Sequence, residues 1–175
     1  MASDDRDEVR DRERDDAPRN DPETVHRVKM FLEGALAKMD LHVQVVQRDE
    51  DRDVVLEITG EDAAIAIGKK GATLDSLQLL CSRVARKVPN GARTSIVLDA
   101  EGYRARREAT LTKMAERLGA QALKEGTVIT LDPLSARDRR VVHIALARFT
   151  GVTTRSEGDG IERRLQIIPM PERPR

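Results

Sequence analysis

The run Gly68-Lys69-Lys70-Gly71 combines two glycines and two cations in consecutive positions. Glycine lacks a Cβ, so the chain can turn tightly there and a nucleic-acid backbone can approach closely. If a helix follows, its first amide groups and the positive end of its dipole are available to a phosphate, and the lysines add mobile positive charge. A nucleotide-binding P-loop would need glycine at Ala63 and serine or threonine at Lys70, so the spacing excludes it. The alternative is a purely structural turn between two helices.

Arg139 and His143 form a second candidate site. They are four positions apart, so on a helix they share one face, where a guanidinium and an imidazole can bind neighbouring phosphate oxygens. The alternative is an ordinary solvated helix face. Nearby arginines favour a basic binding surface, and the predicted surface therefore also includes Arg140, Arg155, Arg163 and Arg164.

Other chemistry has little support in the sequence. The single cysteine, Cys81, lies on the apolar stripe of a predicted helix, with no histidine near it in any nucleophile signature. His26 and His42 are isolated from it and from each other, so we expect no metal site and no cofactor. Without a carboxylate pair and base or a nucleotide loop, we expect no enzymatic activity. The chain has only one tyrosine, two phenylalanines and no tryptophan, which argues against modules that stack bases on exposed rings.

Charge is unevenly distributed along a neutral chain of 175 residues. Lysine plus arginine equals aspartate plus glutamate, at 31 each, but residues 1–21 hold nine acids and five arginines, a net charge of −4. The rest of the chain therefore carries +4, an asymmetry that matters for a polyanionic partner. Residues 1–21 contain almost nothing apolar, so we expect a disordered tail. No secretory signal or long apolar run occurs, so we expect a cytoplasmic protein without membrane insertion.

Hydrophobic periodicity predicts a first α+β module in residues 22–100, with the order α-β-β-α-α-β. Apolar residues at helical spacing follow Pro22, and two β-branched runs flank a charged turn. A short helix leads into the glycine-lysine run, a longer helix follows, and a strand closes the module. The predicted strands are residues 41–47, 54–59 and 93–99, and the predicted short helix is residues 61–67.

Residues 101–168 predict a second, smaller module with the order α-β-α-β-β. Ser135 and Asp138 form a capping box, which indicates that a helix starts there. The glycine-rich residues 157–160 predict a hairpin loop. The predicted elements are a helix 102–124, a strand 128–131, the helix capped by Ser135, and strands 152–155 and 163–168. Residues 169–175 contain three prolines and are expected to form a tail.

These motifs resemble, in order, those of the Jag proteins, also called SpoIIIJ-associated proteins or the larger KH partner proteins of bacteria. The similarity covers about residues 22–168. The matching stretches are residues 67–78, 99–108, 138–143 and 154–158. The resemblance implies a type II KH domain, whose GxxG loop grips the backbone of about four nucleotides. It also implies a following R-three-H domain, named for its Arg-x-x-x-His.

The resemblance carries functional expectations as well. It implies single-stranded RNA as ligand, a small stand-alone KH-domain protein as partner, and a link to cell elongation and division. Family members often begin with a separate N-terminal domain, whereas this chain begins with about 21 mostly charged residues. Functions of that domain are therefore not carried over. We predict a single-stranded RNA-binding protein that acts as a post-transcriptional regulator. The alternative is a protein scaffold that uses the KH fold for dimerisation, for example as a homodimer.

Overall fold

The computed structural model describes residues 20–50, 53–89 and 94–170, apart from the side chain of Ile161. The chain divides into two compact units, residues 1–103 and 104–175. Most of the predicted charged tail and of the predicted proline-rich tail, residues 1–19 and 171–175, lies outside the described residues.

The first unit has the predicted order α-β-β-α-α-β. Its elements are α1 (Pro22–Lys38), β1 (Gln44–Glu50), β2 (Asp53–Thr59), α2 (Ala63–Ile67), a 3-10 turn (Lys69–Gly71), α3 (Ala72–Ala85) and β3 (Ile96–Ala100). The sheet runs in the order β1-β2-β3, with β1 antiparallel and β3 parallel to β2. Parallel pairing requires a crossover between β2 and β3, and the segment that contains the glycine-lysine run supplies it.

Alternate residues of the sheet join the helices in one apolar core. Val54, Leu56 and Ile58 of β2 are buried in it, as expected for one face of a strand. The helices contribute side chains at helical spacing, among them Val28, Leu32, Leu36, Leu74, Leu77 and Cys81. The two helices on either side of the crossover loop are therefore anchored through their buried faces.

Helix α1 starts with a side-chain cap from Asp21. Its Oδ2 accepts hydrogen bonds from the Thr24 hydroxyl at 2.6 Å and the Thr24 amide at 2.9 Å, which hold the pKa of Asp21 below its ordinary value. Pro22 occupies the first turn, where its missing N–H has no cost. The backbone N–H of Asp21 also donates to the Thr94 hydroxyl at 3.1 Å. Asp21 therefore belongs to the folded unit, although the sequence analysis placed it in the charged tail.

Strand β1 covers residues 44–50 and so begins later than the predicted strand 41–47. Asp40 has a positive φ of 58°, and the N–H of Leu41 bonds back into the last turns of α1, so residues 39–43 form the exit from the helix. At its other end β1 continues through the charged residues 48–50, which pair with β2. These residues resemble a turn in the sequence, but β1 is an edge strand whose side chains are mostly exposed, where charge is readily accommodated.

Gln78 ties α3 to the free edge of the sheet. Backbone groups on the outer side of an edge strand such as β3 need hydrogen-bond partners. The Gln78 amide donates to the Ile96 carbonyl at 2.9 Å and accepts from the Leu98 N–H at 2.8 Å. Gln78 thus takes the place of a further strand and holds α3, together with the loop that precedes it, in position on the sheet.

The second unit has the predicted order α-β-α-β-β. Its elements are α4 (Tyr103–Glu125), β4 (Ile129–Thr130), α5 (Ala136–Ala147), β5 (Val152–Glu157), a 3-10 turn (Gly160–Glu162) and β6 (Arg164–Pro169). The strands are antiparallel in the order β4-β6-β5, and the hairpin of β5 and β6 predicted from the glycine-rich loop is confirmed. Buried side chains of α4, α5 and the sheet form its core, including Leu111, Ala115, Val142, Leu146 and Ile167.

Helix α5 is fixed against α4 at two points. Near the start of α5, the buried carboxylate of Asp138 accepts hydrogen bonds from Nη2 and Nε of Arg107 at 2.7 and 3.2 Å. Near its end, Gly119 of α4 makes room for Leu146, because a Cβ on Gly119 would lie 2.9 Å from Leu146 Cδ2. The Ser135 hydroxyl accepts from the Asp138 N–H at 3.2 Å, so the predicted N-cap is formed.

Replacing Asp138 by alanine should destabilise the second unit by about 3 kcal/mol, because the largely buried Arg107 guanidinium loses its counter-charge. Urea titration followed by amide hydrogen exchange in α5 measures this loss. Asp132→Ala is the matched control. It removes an exposed carboxylate from the segment that joins β4 to α5, and it should change the free energy of unfolding by less than about 0.5 kcal/mol. Equal stability of the two variants would show that the ion pair does not hold α5.

Candidate nucleic-acid interface

The run from Gly68 to Gly71 joins α2 to α3 through a backbone with positive φ. The angle is 71° at Gly68, 55° at Lys70 and 85° at Gly71. Glycine adopts such values without steric cost, whereas Lys70 is strained by them. The side chains of Lys69 and Lys70 are both exposed. The loop therefore presents two cations on a backbone shape that the surrounding structure must maintain.

The two glycines are required by packing within the protein itself. A Cβ on Gly68 would lie 2.9 Å from Cβ of Thr73, and a Cβ on Gly71 would lie 2.8 Å from Cε1 of Tyr103. Thr73 and Tyr103 thus occupy space that the sequence analysis assigned to an approaching nucleic-acid backbone. The groups that the loop offers to an anion are consequently the lysine side chains and the backbone amides.

The start of α3 differs from the starts of α1 and α5. Asp21 caps α1 and Ser135 caps α5, each through a side-chain oxygen. At α3 the N-cap position is Gly71, which has no side chain to form a capping hydrogen bond. The first amides of a helix need acceptors, and with the helix dipole they favour an anion. This end of α3 directly follows Lys69 and Lys70.

On α5, Arg139 and His143 share one side of the helix, next to β5. His143 is exposed, and its Nδ1 lies 2.6 Å from the hydroxyl of Thr154 on β5. Arg139 is partly buried and donates from Nη1 to the Leu134 carbonyl at 2.7 Å. The guanidinium retains further N–H donors, and the imidazole retains Nε2. Both side chains are thus held by the protein and keep polar groups available for a ligand.

Arg140, three residues before His143, belongs to a different part of α5. It lines a groove between α4 and α5, together with Arg137 and Arg148. The helix therefore carries two separate polar surfaces, one beside β5 and one beside α4.

Arg155 and Arg164 lie on the outer face of the second sheet. Thr154 is on the sheet face toward α5, so its neighbour Arg155 is on the opposite face. Arg164 is the cross-strand partner of Glu157 on that outer face, and Arg163 immediately precedes β6. Nη2 of Arg155 lies 3.8 Å from the Glu157 carboxylate, which offsets part of this positive charge. The single basic surface expected from the sequence is thus divided between two faces of the unit.

Cys81, Asp62 and His42 are titratable residues outside the candidate interface. Burial raises the pKa of the Cys81 thiol to about 12, so it stays protonated at neutral pH. Oδ2 of Asp62 accepts from the His42 N–H at 2.7 Å and lies 3.2 Å from Nδ1, and these hydrogen bonds lower the pKa of Asp62. Within the described residues, no three His, Cys, Asp or Glu side chains are arranged to hold a metal ion. Every helix in that part of the chain is too short or too polar to cross a membrane.

Comparison with protein families assigns a domain type to each unit. Residues 26–97 match the KhpA/KhpB KH domain, and residues 109–169 match the R-three-H domain. The two matches lie in the first and second units, in that order. The predicted α+β fold, a KH domain followed by an R-three-H domain, is confirmed.

Two relatives match across both domains. The RNA-binding protein KhpB of Bacillus subtilis (strain 168) is 34% identical over 149 residues, which cover 82% of this chain and 69% of that protein. The RNA-binding protein KhpB of Clostridium symbiosum is 35% identical over 131 residues, which cover 74% of this chain and 59% of that protein. The chain belongs to the KhpB family. The predicted resemblance to the Jag proteins, which are the same family, is therefore confirmed.

Two contacts in this member of the KhpB family escaped the sequence analysis. Thr154 holds His143 across 11 sequence positions, and Gln78 holds Leu98 across 20. Thr154 and Gln78 lie in stretches that carry the family resemblance, but the sequence pattern does not indicate their partners. Their partners become apparent only when the helix and strand lie side by side.

Gly71→Ala should destabilise the first unit by about 1–3 kcal/mol, because the new Cβ meets the Tyr103 ring at a residue with a φ of 85°. Gly34→Ala is the control: this helical glycine has open space around it, and alanine there should stabilise the unit by up to about 1 kcal/mol. Urea titrations of the two variants give the difference. A Gly71→Ala protein as stable as the parent would contradict the tight packing of the loop.

Proposed function

We propose that the chain binds single-stranded RNA through the loop from Gly68 to Gly71, with Lys69 and Lys70 as phosphate contacts. The observation that carries the proposal is an exposed lysine pair on a positive-φ turn, directly before a helix start without a side-chain cap. A phosphate bound there would meet amide N–H groups, the helix dipole and two cations together. The matching relatives are named RNA-binding proteins, which supports RNA as the polyanion.

A second phosphate contact is formed by Arg139 and His143 on α5. The Thr154 hydroxyl orients the imidazole, and the Leu134 carbonyl orients the guanidinium. Side chains that are already held lose less conformational entropy on binding, so each contributes more to affinity. Arg155, Arg163 and Arg164 form a separate outer contact on the β5–β6 hairpin, because they lie away from this pair.

The function is binding rather than catalysis, and the chain acts as a post-transcriptional regulator in the cytoplasm. Support comes from the RNA-binding family and from the protonated, buried Cys81, the one thiol of the chain. The link to cell elongation and division rests on the family resemblance. Because the chain spans 69% and 59% of the two relatives, activities of the whole relatives are proposals for this chain.

The protein partner is a small stand-alone KH-domain protein, bound through the KH unit. Ile65 on α2 and Leu79 and Leu80 on α3 are 56%, 56% and 46% exposed, so these apolar side chains are accessible to a partner. The matching KH model is named for both KhpA and KhpB, which supports association within this domain class. A scaffold that dimerises through the same side chains, including a homodimer, is the competing function. Such a scaffold has no reason to bind RNA in a salt-dependent way.

Reversing the charge of the loop with Lys69→Asp and Lys70→Asp should weaken binding of a 12-nucleotide single-stranded RNA at least about tenfold at low salt. The slope of log affinity against log salt should fall by about 1.4, since each single-strand phosphate contact contributes about 0.7. Fluorescence anisotropy at several salt concentrations measures both quantities, and circular dichroism confirms the fold.

Lys113→Asp with Lys124→Asp makes the same charge change at exposed positions of α4 and should weaken binding much less. If the two double variants lose affinity equally, net charge rather than the loop is responsible. Unchanged affinity in the folded Lys69 and Lys70 variant rules out the loop as the phosphate contact. If the parent chain shows no salt-dependent binding, the scaffold function is favoured.

His143→Ala should reduce RNA affinity about tenfold, the low end of the value of one hydrogen bond to a charged group. Thr154→Val keeps the shape of the threonine but removes the hydroxyl that holds His143, so it should reduce affinity by a smaller factor without unfolding the unit. Because the two units are compact by themselves, these losses should add to those from Lys69 and Lys70. Affinity and melting temperature are measured for each variant. If His143→Ala and Thr154→Val both lower the melting temperature but leave the affinity unchanged, the contact between His143 and Thr154 is only structural.

A further inference from the structure

A groove of about 650 Å³ lies between α4 and α5 in the second unit. Its floor is apolar, since Val141, Ala145 and Phe149 are partly buried and Ile144 is 52% exposed. This volume is typical of small-ligand sites. The contacts proposed for His143 lie beside β5, so they leave the groove without a role.

The two walls of the groove carry opposite charges. Helix α5 and the residue that caps its C-terminus contribute Arg137, Arg140 and Arg148, and α4 contributes Glu108 and Glu116. All five side chains are exposed, and in the part of the chain that the structure describes no ion pair joins these arginines to these glutamates. The groove thus has arginines along one side, glutamates along the other side, and apolar side chains between them. A matching ligand carries an anion at one side, a flat apolar face, and hydrogen-bond donors at the other side.

A nucleotide of single-stranded RNA has this combination of groups. Its phosphates suit the planar guanidinium forks, and its base suits the apolar floor at Ile144 and Phe149. The edge of an unpaired base is free to reach the glutamates, whereas a paired base has its edge occupied. An acidic peptide would suit the arginines but would be repelled by Glu108 and Glu116. The charges of the groove therefore favour a nucleotide over an acidic peptide.

We propose that this groove binds one nucleotide of the RNA and selects bases with an amino group over uracil. The proposal rests on the RNA binding proposed above and adds to it a source of base preference. An ionised carboxylate only accepts hydrogen bonds. Adenine, cytosine and guanine present amino donors to the carboxylates. The edge of uracil presents a single N3–H donor between two carbonyl oxygens, and Glu108 and Glu116 repel those oxygens. Arg137 and Arg148 bind the flanking phosphates.

The groove is also within reach of the proposed contact at His143. Helical periodicity places Ala136, Arg140 and Ala147 on the exposed arc of α5 between His143 and the groove residue Ile144. Two of these side chains are only methyl groups, so a strand can cross α5 from His143 into the groove without obstruction. Arg140 lies on that path and contacts the phosphate between the two positions.

The test compares the parent chain with a double variant that carries both Glu108→Gln and Glu116→Gln. Binding is measured with 12-nucleotide oligomers of adenosine, cytidine and uridine. The parent should bind the adenosine and cytidine oligomers about fivefold tighter than the uridine oligomer, the value of about one hydrogen bond. Glutamine amides can donate to uracil oxygens as well as accept, so the double variant should bring this ratio close to one. Repeating both measurements with Lys69→Asp and Lys70→Asp in the full chain reduces the contribution of the first unit.

Glu125→Gln with Glu162→Gln is the matched control, since it removes the same charge from exposed glutamates outside the groove. It should shift all three affinities alike and preserve the ratio. Arg148→Ala should weaken binding of all three oligomers about tenfold, because one hydrogen bond to a charged phosphate is lost.

Equal binding of the three oligomers by the parent, or a preserved ratio in the groove variant, overturns the groove proposal and leaves RNA binding intact. If the groove variant and Arg148→Ala both leave every affinity unchanged, the groove serves another ligand, such as a peptide, and the proposal is again overturned. If the parent binds none of the oligomers, the proposed function itself fails.

Discussion

An α-helix begins with amide groups that its own turns cannot satisfy, and the helices of this protein differ in how these first amides are capped. Side chains of Asp21 and Ser135 satisfy the starts of α1 and α5. Helix α3 instead begins at Gly71, an N-cap residue without a side chain, directly after two exposed lysines. Because Gly71 is packed against Tyr103 and Gln78 holds α3 on the sheet, the core of the KH domain maintains this helix end before any ligand arrives.

In the second unit, the position of α5 depends on a buried charge. Asp138 is buried and bonded to Arg107, and a buried carboxylate without a partner is costly, so α5 cannot slide freely along α4. The ion pair between Asp138 and Arg107 therefore determines which way both exposed sides of α5 face. Arg139 and His143 lie on the side next to β5, and the groove lies on the side next to α4. One short helix thereby supplies two candidate contacts for the same strand of RNA.

The two domains offer different kinds of positive charge. Lys69 and Lys70 carry compact, mobile charges that suit phosphates in any sequence. The arginines of α5 are planar forks beside an apolar floor and two glutamates, a setting in which the edge of a base can be distinguished. The scarcity of aromatic residues argues against modules that stack bases on exposed rings. The groove adds an apolar surface built mainly from aliphatic side chains, which sequence composition does not reveal.

The sequence by itself determined the order of elements in both domains, the cap at Ser135 and the family, because periodicity, capping and motif spacing act between residues close together in the chain. The tertiary structure decided which residues meet. It moved β1 toward residues 48–50, since an edge strand tolerates charge, and it placed Arg155 and Arg164 on the opposite sheet face from His143. Arg107 and Asp138 are 31 positions apart, and no local rule joins them. Contacts of this kind arise only from the packing of whole helices and strands, so the division of the arginines between two faces and the groove between α4 and α5 appear only in the folded chain.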